Sequence, residues 1–212
     1  MKDTIFIFDF DGTIADTHDH IINISNRLAK EFGYSLIKPD EIETLKDKTS
    51  REVIKYLQVP IFKIPAILSK AKKELHDGMA SIQPIEGLKE ILQELKDSGV
   101  RMGILSSNAP ENISKFLKNH ALEVFEFVDS TLKVWSKNIS LKKLLERHAF
   151  HADQILYIGD ETRDIEAAKA LGIKVAAVTW GYNSERALKS HEPDFLIHTP
   201  QELFELCISH LI

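Results

Sequence analysis

Apolar positions fall into six short runs, at residues 4–8, 100–105, 124–128, 155–158, 173–179 and 195–197. Each is rich in β-branched or aromatic residues and flanked by Gly, Asp or Asn, so each is predicted to be a strand. The first, second and fourth are continuous rather than alternating, the pattern of strands covered on both faces of a parallel sheet. Between the runs the spacing becomes helical. Leu88, Ile91, Leu92 and Leu95 follow i, i+3, i+4, i+7, and shorter stripes pass through Ile113, Phe116 and Leu117 and through Leu141, Leu144 and Leu145. A final helix is expected after Thr199, which stands in capping-box spacing with Glu202 and is followed by Pro200. From Gly87 onward strands and helices alternate, which predicts an α/β fold with a doubly wound, Rossmann-like parallel sheet and right-handed crossovers.

Residues 16–82 break that rhythm. Ile21, Ile24, Leu28 and Phe32 make one amphipathic stripe, Val53, Ile54 and Leu57 a second, and Ile64, Leu68, Ala71 and Leu75 a third, with no strand pattern between them. The expected organisation is therefore a core of residues 1–15 and 83–212 with a helical insertion at 16–82, rejoining near Pro84 and Gly87.

Composition narrows the possible partners. Lys+Arg 27 against Asp+Glu 32 gives a net charge of −5 over 212 residues, so no basic field is available to hold nucleic acid or an anionic membrane. No apolar run approaches the roughly 18 residues of a membrane span, and no signal peptide is predicted. The one cysteine, Cys207, sits among Leu203, Phe204, Leu206 and Leu211 at helical spacing and reads as a core residue of a protein of the reducing cytoplasm. Oligomeric state is left open.

Parallel strands deliver their C-terminal ends to one edge of the sheet, where ligands bind. The first strand runs into Asp9-Phe10-Asp11-Gly12-Thr13, the second into Ser106-Ser107-Asn108, and the fourth into Gly159-Asp160, with Asp164 following. Four carboxylates brought to one crevice either take up protons or gather around a hard cation. Oxygen ligands without His or Cys favour Mg²⁺, which prefers one or two carboxylates, waters and a phosphate oxygen, so phosphoryl chemistry on a small phosphate ester is the expectation. Asp9 is placed to act as a nucleophile and Asp11, two residues on, as a general acid and base.

These segments, with a downstream lysine and Gly159-Asp160-Glu161-Thr162-Arg163-Asp164, resemble the four ordered motifs of the haloacid-dehalogenase-like hydrolases, in the phosphoglycolate-phosphatase-like branch. In that superfamily the insertion after the first motif is a helical cap domain. The resemblance implies a phosphatase with Asp9 as nucleophile and Asp11 as acid/base. It also implies Mg²⁺ held by the Asp9 carboxylate, the Asp11 carbonyl and Asp160, with Asp164 in support. Ser106 would bind the transferring phosphoryl group, and Gly12, Thr13, Ser107 and Asn108 are candidate substrate contacts. The lysine is assigned to Lys137, ahead of a helix starting near Ile139, with Lys133 as the alternative because the family's usual Gly-Lys-Pro is replaced by Ser136-Lys137-Asn138. Arg51, from the insertion, is a candidate for the substrate's distal group.

Taken singly, each feature has an ordinary structural reading. Asp11-Gly12 is a common turn pair, Asp160 could cap a helix, Asp164 could face its dipole, and Thr49 with Glu52 could merely start a helix. His148 and His151 read as surface residues, while Trp180 and Tyr182 either wall the crevice or pack. Order along the chain is what lifts the set. The competing functions are a phosphoryl-transferring mutase, which needs the same motifs, and a non-catalytic relative that binds a phosphorylated ligand. A dehalogenase is disfavoured, since that chemistry in the family lacks the second aspartate that Asp11 supplies.

Overall fold

The computed structural model of the chain describes residues 4–130 and 137–210. Six parallel strands, β1 (Ile5–Phe8), β2 (Arg101–Ser106), β3 (Phe127–Ser130), β4 (Ile155–Gly159), β5 (Lys174–Val178) and β6 (Phe195–Ile197), form one sheet in the order β3-β2-β1-β4-β5-β6. The helices in chain order are α1 (His18–Phe32), α2 (Ile42–Lys46), α3 (Ser50–Tyr56), α4 (Ile64–Gly78), α5 (Leu88–Asp97), α6 (Pro110–Asn119), α7 (Lys137–His148), α8 (Thr162–Lys169), α9 (Glu185–Ser190) and α10 (Pro200–Ser209). Strand order reverses at β1, which pairs with both β2 and β4, so a crevice opens beyond the C-terminal ends of β1 and β4.

Period-two alternation along β1 explains how the layers attach. Phe6 and Phe8 enter a core cluster with α5, α6 and α10, whereas Ile5 and Ile7 enter a second cluster with α7, α8 and α9. Asp9 continues the odd series, and its side chain accordingly meets α7 and α8.

Helices α1–α4 all lie between β1 and β2. Entry and exit are zipped together, with Asp16 N–H donating to the Gln83 carbonyl and Ile85 N–H to that of Ile14, both at 2.9 Å. Ile24, Leu28, Leu75 and Met79 of this segment join the same apolar cluster as Phe6 and Phe8, and no separate cluster forms within it among the described residues. No helix of the described residues is long and apolar enough to cross a membrane.

Several local expectations need correction. The third strand lies at Phe127–Ser130 rather than 124–128, because Val124 is buried as a turn residue and the Phe127 ring is the one that covers Gly103. Apolarity alone does not separate an anchored turn from a strand. Lys137 is already within α7, whose start was expected near Ile139. At α10 Thr199 Oγ1 accepts from Glu202 N–H, but the Glu202 carboxylate reaches back to His198 N–H at 2.8 Å, so the reciprocal box is not formed. The box at Thr49 and Glu52 is formed. His148 is no free surface residue: it bonds Asp129 at 3.0 Å and stacks on Phe127.

Candidate active site

Asp9 leaves the end of β1 with its N–H still on the Ile158 carbonyl of β4, so the strand ladder fixes its backbone. Its Oδ1 accepts from the Phe10 N–H at 2.8 Å, and its Oδ2 lies 2.8 Å from Lys137 Nζ. Lys137 also reaches Asp164 Oδ1 at 3.0 Å, so one buried ammonium is shared by two carboxylates. Burial pulls the Lys137 pKa down, but Asp164 and Asp9 outweigh it and leave it raised. Asp164 keeps its structural duty as well: Oδ2 accepts from Glu161 N–H at the start of α8. Burial pushes its pKa up to about 6 against the pull of Lys137.

Asp160 is fully buried beyond β4. Thr13 Oγ1 donates to its Oδ1 at 2.6 Å and Tyr182 N–H to its Oδ2 at 2.8 Å. The close approach requires glycine on both sides. A Cβ at Gly12, where φ is +77°, would fall 2.3 Å from Asp160 Oδ2, and one at Gly181 would fall 2.1 Å from it. Burial and then repulsion from Glu161, Asp9 and Asp164 raise the Asp160 pKa well above the usual carboxylate range.

Asp9, Asp160 and Asp164 each offer an oxygen within 4.8 Å of the others. Three buried carboxylates at that spacing, two of them with raised proton affinity despite the Lys137 ammonium beside them, form an oxygen-only donor set that suits a hard divalent ion.

Asp11 stands apart from this trio. Its two carboxylate oxygens each accept from Asn108 Nδ2 at 3.1 Å, which aims it away from the three-carboxylate cluster. Burial, then repulsion from Asp9, lifts its pKa to about 7. Ser106 ends β2 fully buried, its Oγ accepting from Asn108 N–H at 3.0 Å, and its own proton has no acceptor among the described residues.

Asp11, Ser107, Asn108, Glu161, Arg163 and Tyr182 floor a cavity of about 380 Å³ roofed by the helical segment. Asn183 Nδ2 fastens that roof by donating to the Lys46 and Lys48 carbonyls at 2.8 and 3.1 Å, while its Oδ1 takes Thr162 N–H at 2.8 Å. Tyr182 therefore walls the crevice, and Trp180 packs, its indole N–H on the Thr13 carbonyl at 3.2 Å. Arg51 does not line this cavity; it borders an adjoining one with Lys137, Asn138 and Thr162. Lys133 lies outside the described residues. Sequence reading missed Arg163, Glu161 and Asn183 as parts of the cavity, although the first two lie between Asp160 and Asp164 and so carried a positional signal.

A family model described as haloacid dehalogenase-like hydrolase matches residues 6–178. The chain belongs to this family. Among curated relatives of this haloacid dehalogenase-like hydrolase, the phosphoglycolate phosphatase of Synechococcus elongatus is 34% identical over 200 residues, covering 94% of each chain. The pyrophosphatase PpaX of Bacillus cereus is 23% identical, covering 97% of each. Among solved structures, a haloacid dehalogenase-like family protein from Streptococcus pneumoniae superposes with a TM-score of 0.81 at 23% identity, over 97% of this chain and 99% of that one. This hydrolase therefore sits in the phosphoglycolate-phosphatase-like branch that its motifs resemble.

Proposed function

We propose that this enzyme, a phosphoric monoester hydrolase, cleaves a small phosphorylated metabolite with Mg²⁺ through a phosphorylated Asp9. The observation that carries the reading is the meeting of Asp9, Asp160 and Asp164 around Lys137, beside a cavity floored by Asp11.

The Asp9 carboxylate, the Asp11 carbonyl and Asp160 would hold the ion, with Asp164 supporting them. When bound, it supplies positive charge against the phosphoryl oxygens and the acid cluster. An Asp9 oxygen attacks phosphorus, and the bond from phosphorus to the ester oxygen breaks. Asp11, whose pKa of about 7 leaves a proton on it near neutrality, gives that proton to the departing oxygen. As a carboxylate it then takes a proton from the water that attacks phosphorus, freeing phosphate and restoring Asp9. Asn108 orients Asp11 for both steps. Ser106 donates its unclaimed proton to a phosphoryl oxygen, and Lys137 steadies Asp9. Gly12, Thr13, Ser107 and Asn108 would contact the ester, while Arg51 would approach it only from the Lys137 side. A cytoplasmic location fits the buried Cys207, and the acidic net charge fits the absence of a nucleic-acid partner.

Phosphate release from a chromogenic phosphate ester and a panel of phosphorylated metabolites tests this. Turnover is expected with Mg²⁺ and is expected to vanish in excess chelator. No metal-dependent release on any member overturns the phosphatase reading in favour of a binder, and an isomerised phosphate ester as product overturns it in favour of a mutase. Gly181→Ala is a quieter check. Its methyl would displace the Asp160 carboxylate, so activity and the Mg²⁺-induced rise in melting temperature are expected to weaken together, with a loss of roughly 10–100-fold in kcat/KM.

A further inference from the structure

The roof of the active-site cavity is far more apolar than phosphoglycolate or a sugar phosphate calls for. Ten aliphatic side chains line it, contributed by α1, α2, α3, α4 and Ile37. Ile22, Ile37, Ile42, Ile54 and Leu68 are only partly buried, so the cavity keeps their apolar surface from closing against other side chains. Beside these the helical segment brings a smaller polar set to the cavity, His18, Ser50 and three lysines. Of the roof lysines, Lys46 pairs with Glu43 at 3.6 Å, and Lys48 holds its ammonium 5.5 Å from the Tyr56 ring centre. Burial lowers the pKa of the third, Lys72. At about 380 Å³ the space lies toward the small end of ordinary ligand pockets, about 300–1,000 Å³, but is well beyond a two-carbon substituent.

From this lining we infer that the enzyme's substrate is the monophosphate of an apolar alcohol, an alkyl, branched-alkyl or aryl ester, with phosphate at the Asp11 floor and the hydrocarbon under the helical roof. The inference rests on the phosphatase reading and narrows it. Water leaving the aliphatic wall drives the discrimination, and each methylene added to the ester is worth about fourfold in kcat/KM, ~0.8 kcal/mol, until the cavity fills.

A series of n-alkyl monophosphates from ethyl to octyl, with phenyl phosphate, phosphoglycolate and a hexose phosphate beside it, tests the point. The expected result is a rising kcat/KM with chain length, with phosphoglycolate and the sugar phosphate below hexyl phosphate. Ile54→Asn and Leu68→Gln, each first checked for wild-type melting, should flatten that slope. A flat or falling series in an active enzyme, or preference for phosphoglycolate or the sugar, overturns the inference and leaves the phosphatase reading standing. The same chain-length series of alkyl phosphonates, followed by calorimetry, separates the other case. If nothing is hydrolysed yet phosphonate affinity climbs with length, the apolar ligand class holds and the phosphatase reading falls; if affinity is flat as well, both fall.

Discussion

Asp9→Asn is expected to remove phosphatase activity by about 10⁴-fold or more while leaving the protein at least as stable as the wild type. The carboxamide keeps the shape of the side chain and its one oxygen can still accept from Phe10 N–H, leaving Lys137 to Asp164, but that oxygen cannot bond phosphorus productively. Stability should not fall, because Asp9 is itself a source of strain in the cluster. Its charge helps to raise the proton affinity of Asp11, Asp160 and Asp164. Removing one of several crowded negative charges relieves the others, so in chelator the melting temperature is expected to hold or rise. Steady-state kinetics and a melting curve on one preparation decide it. Activity within tenfold of wild type would take the nucleophile's role from Asp9, and a collapsed melting temperature would make its role structural.

Lys137→Met should do the opposite to stability. The ammonium is 6% exposed and sits between Asp9 and Asp164, so its loss leaves buried carboxylates without their nearest cation, a change worth about 3–5 kcal/mol in comparable sites. The deficit should depend on pH in a definite direction. Carboxyls whose folded pKa is raised burden the folded state while ionised, and the burden lifts as pH falls through that pKa. With Asp164 at about 6 in the wild type, where Lys137 holds it down, and higher still without the lysine, the variant should recover most of its loss between about pH 8 and about pH 5. Adding Asp164→Asn should restore part of the stability at the higher pH. Urea unfolding in chelator at both ends of that range measures this; a variant as stable as wild type at about pH 8 would show that the lysine does not offset the cluster.

Much of this arrangement was legible in the chain. Continuous apolar runs at residues 4–8 and 155–158 mark strands buried on both faces, and the acids that follow them must then appear at one edge, which is where Asp9 and Asp160 stand. What could not be read depends on partners remote in sequence. Asp11 and Asp9 look alike as neighbours in a turn, yet Asn108 claims the one and Lys137 the other, and neither pairing has a local signature. Val124 passed for strand because burial, and not hydrogen bonding, set its composition. The cavity roof was invisible for a related reason. Ile21 and Ile54 carry the same helical periodicity as residues that pack inward, and only the assembled fold reveals that they face an opening.

The grip of Asn183 on the roof is made to the main chain of Lys46 and Lys48 and not to their side chains. The latch is consequently blind to which amino acids occupy those two positions. A library randomised at 46 and 48 could therefore retune what the enzyme accepts while the fastening that seats the roof stays intact, which makes this loop the natural place to begin redesigning selectivity.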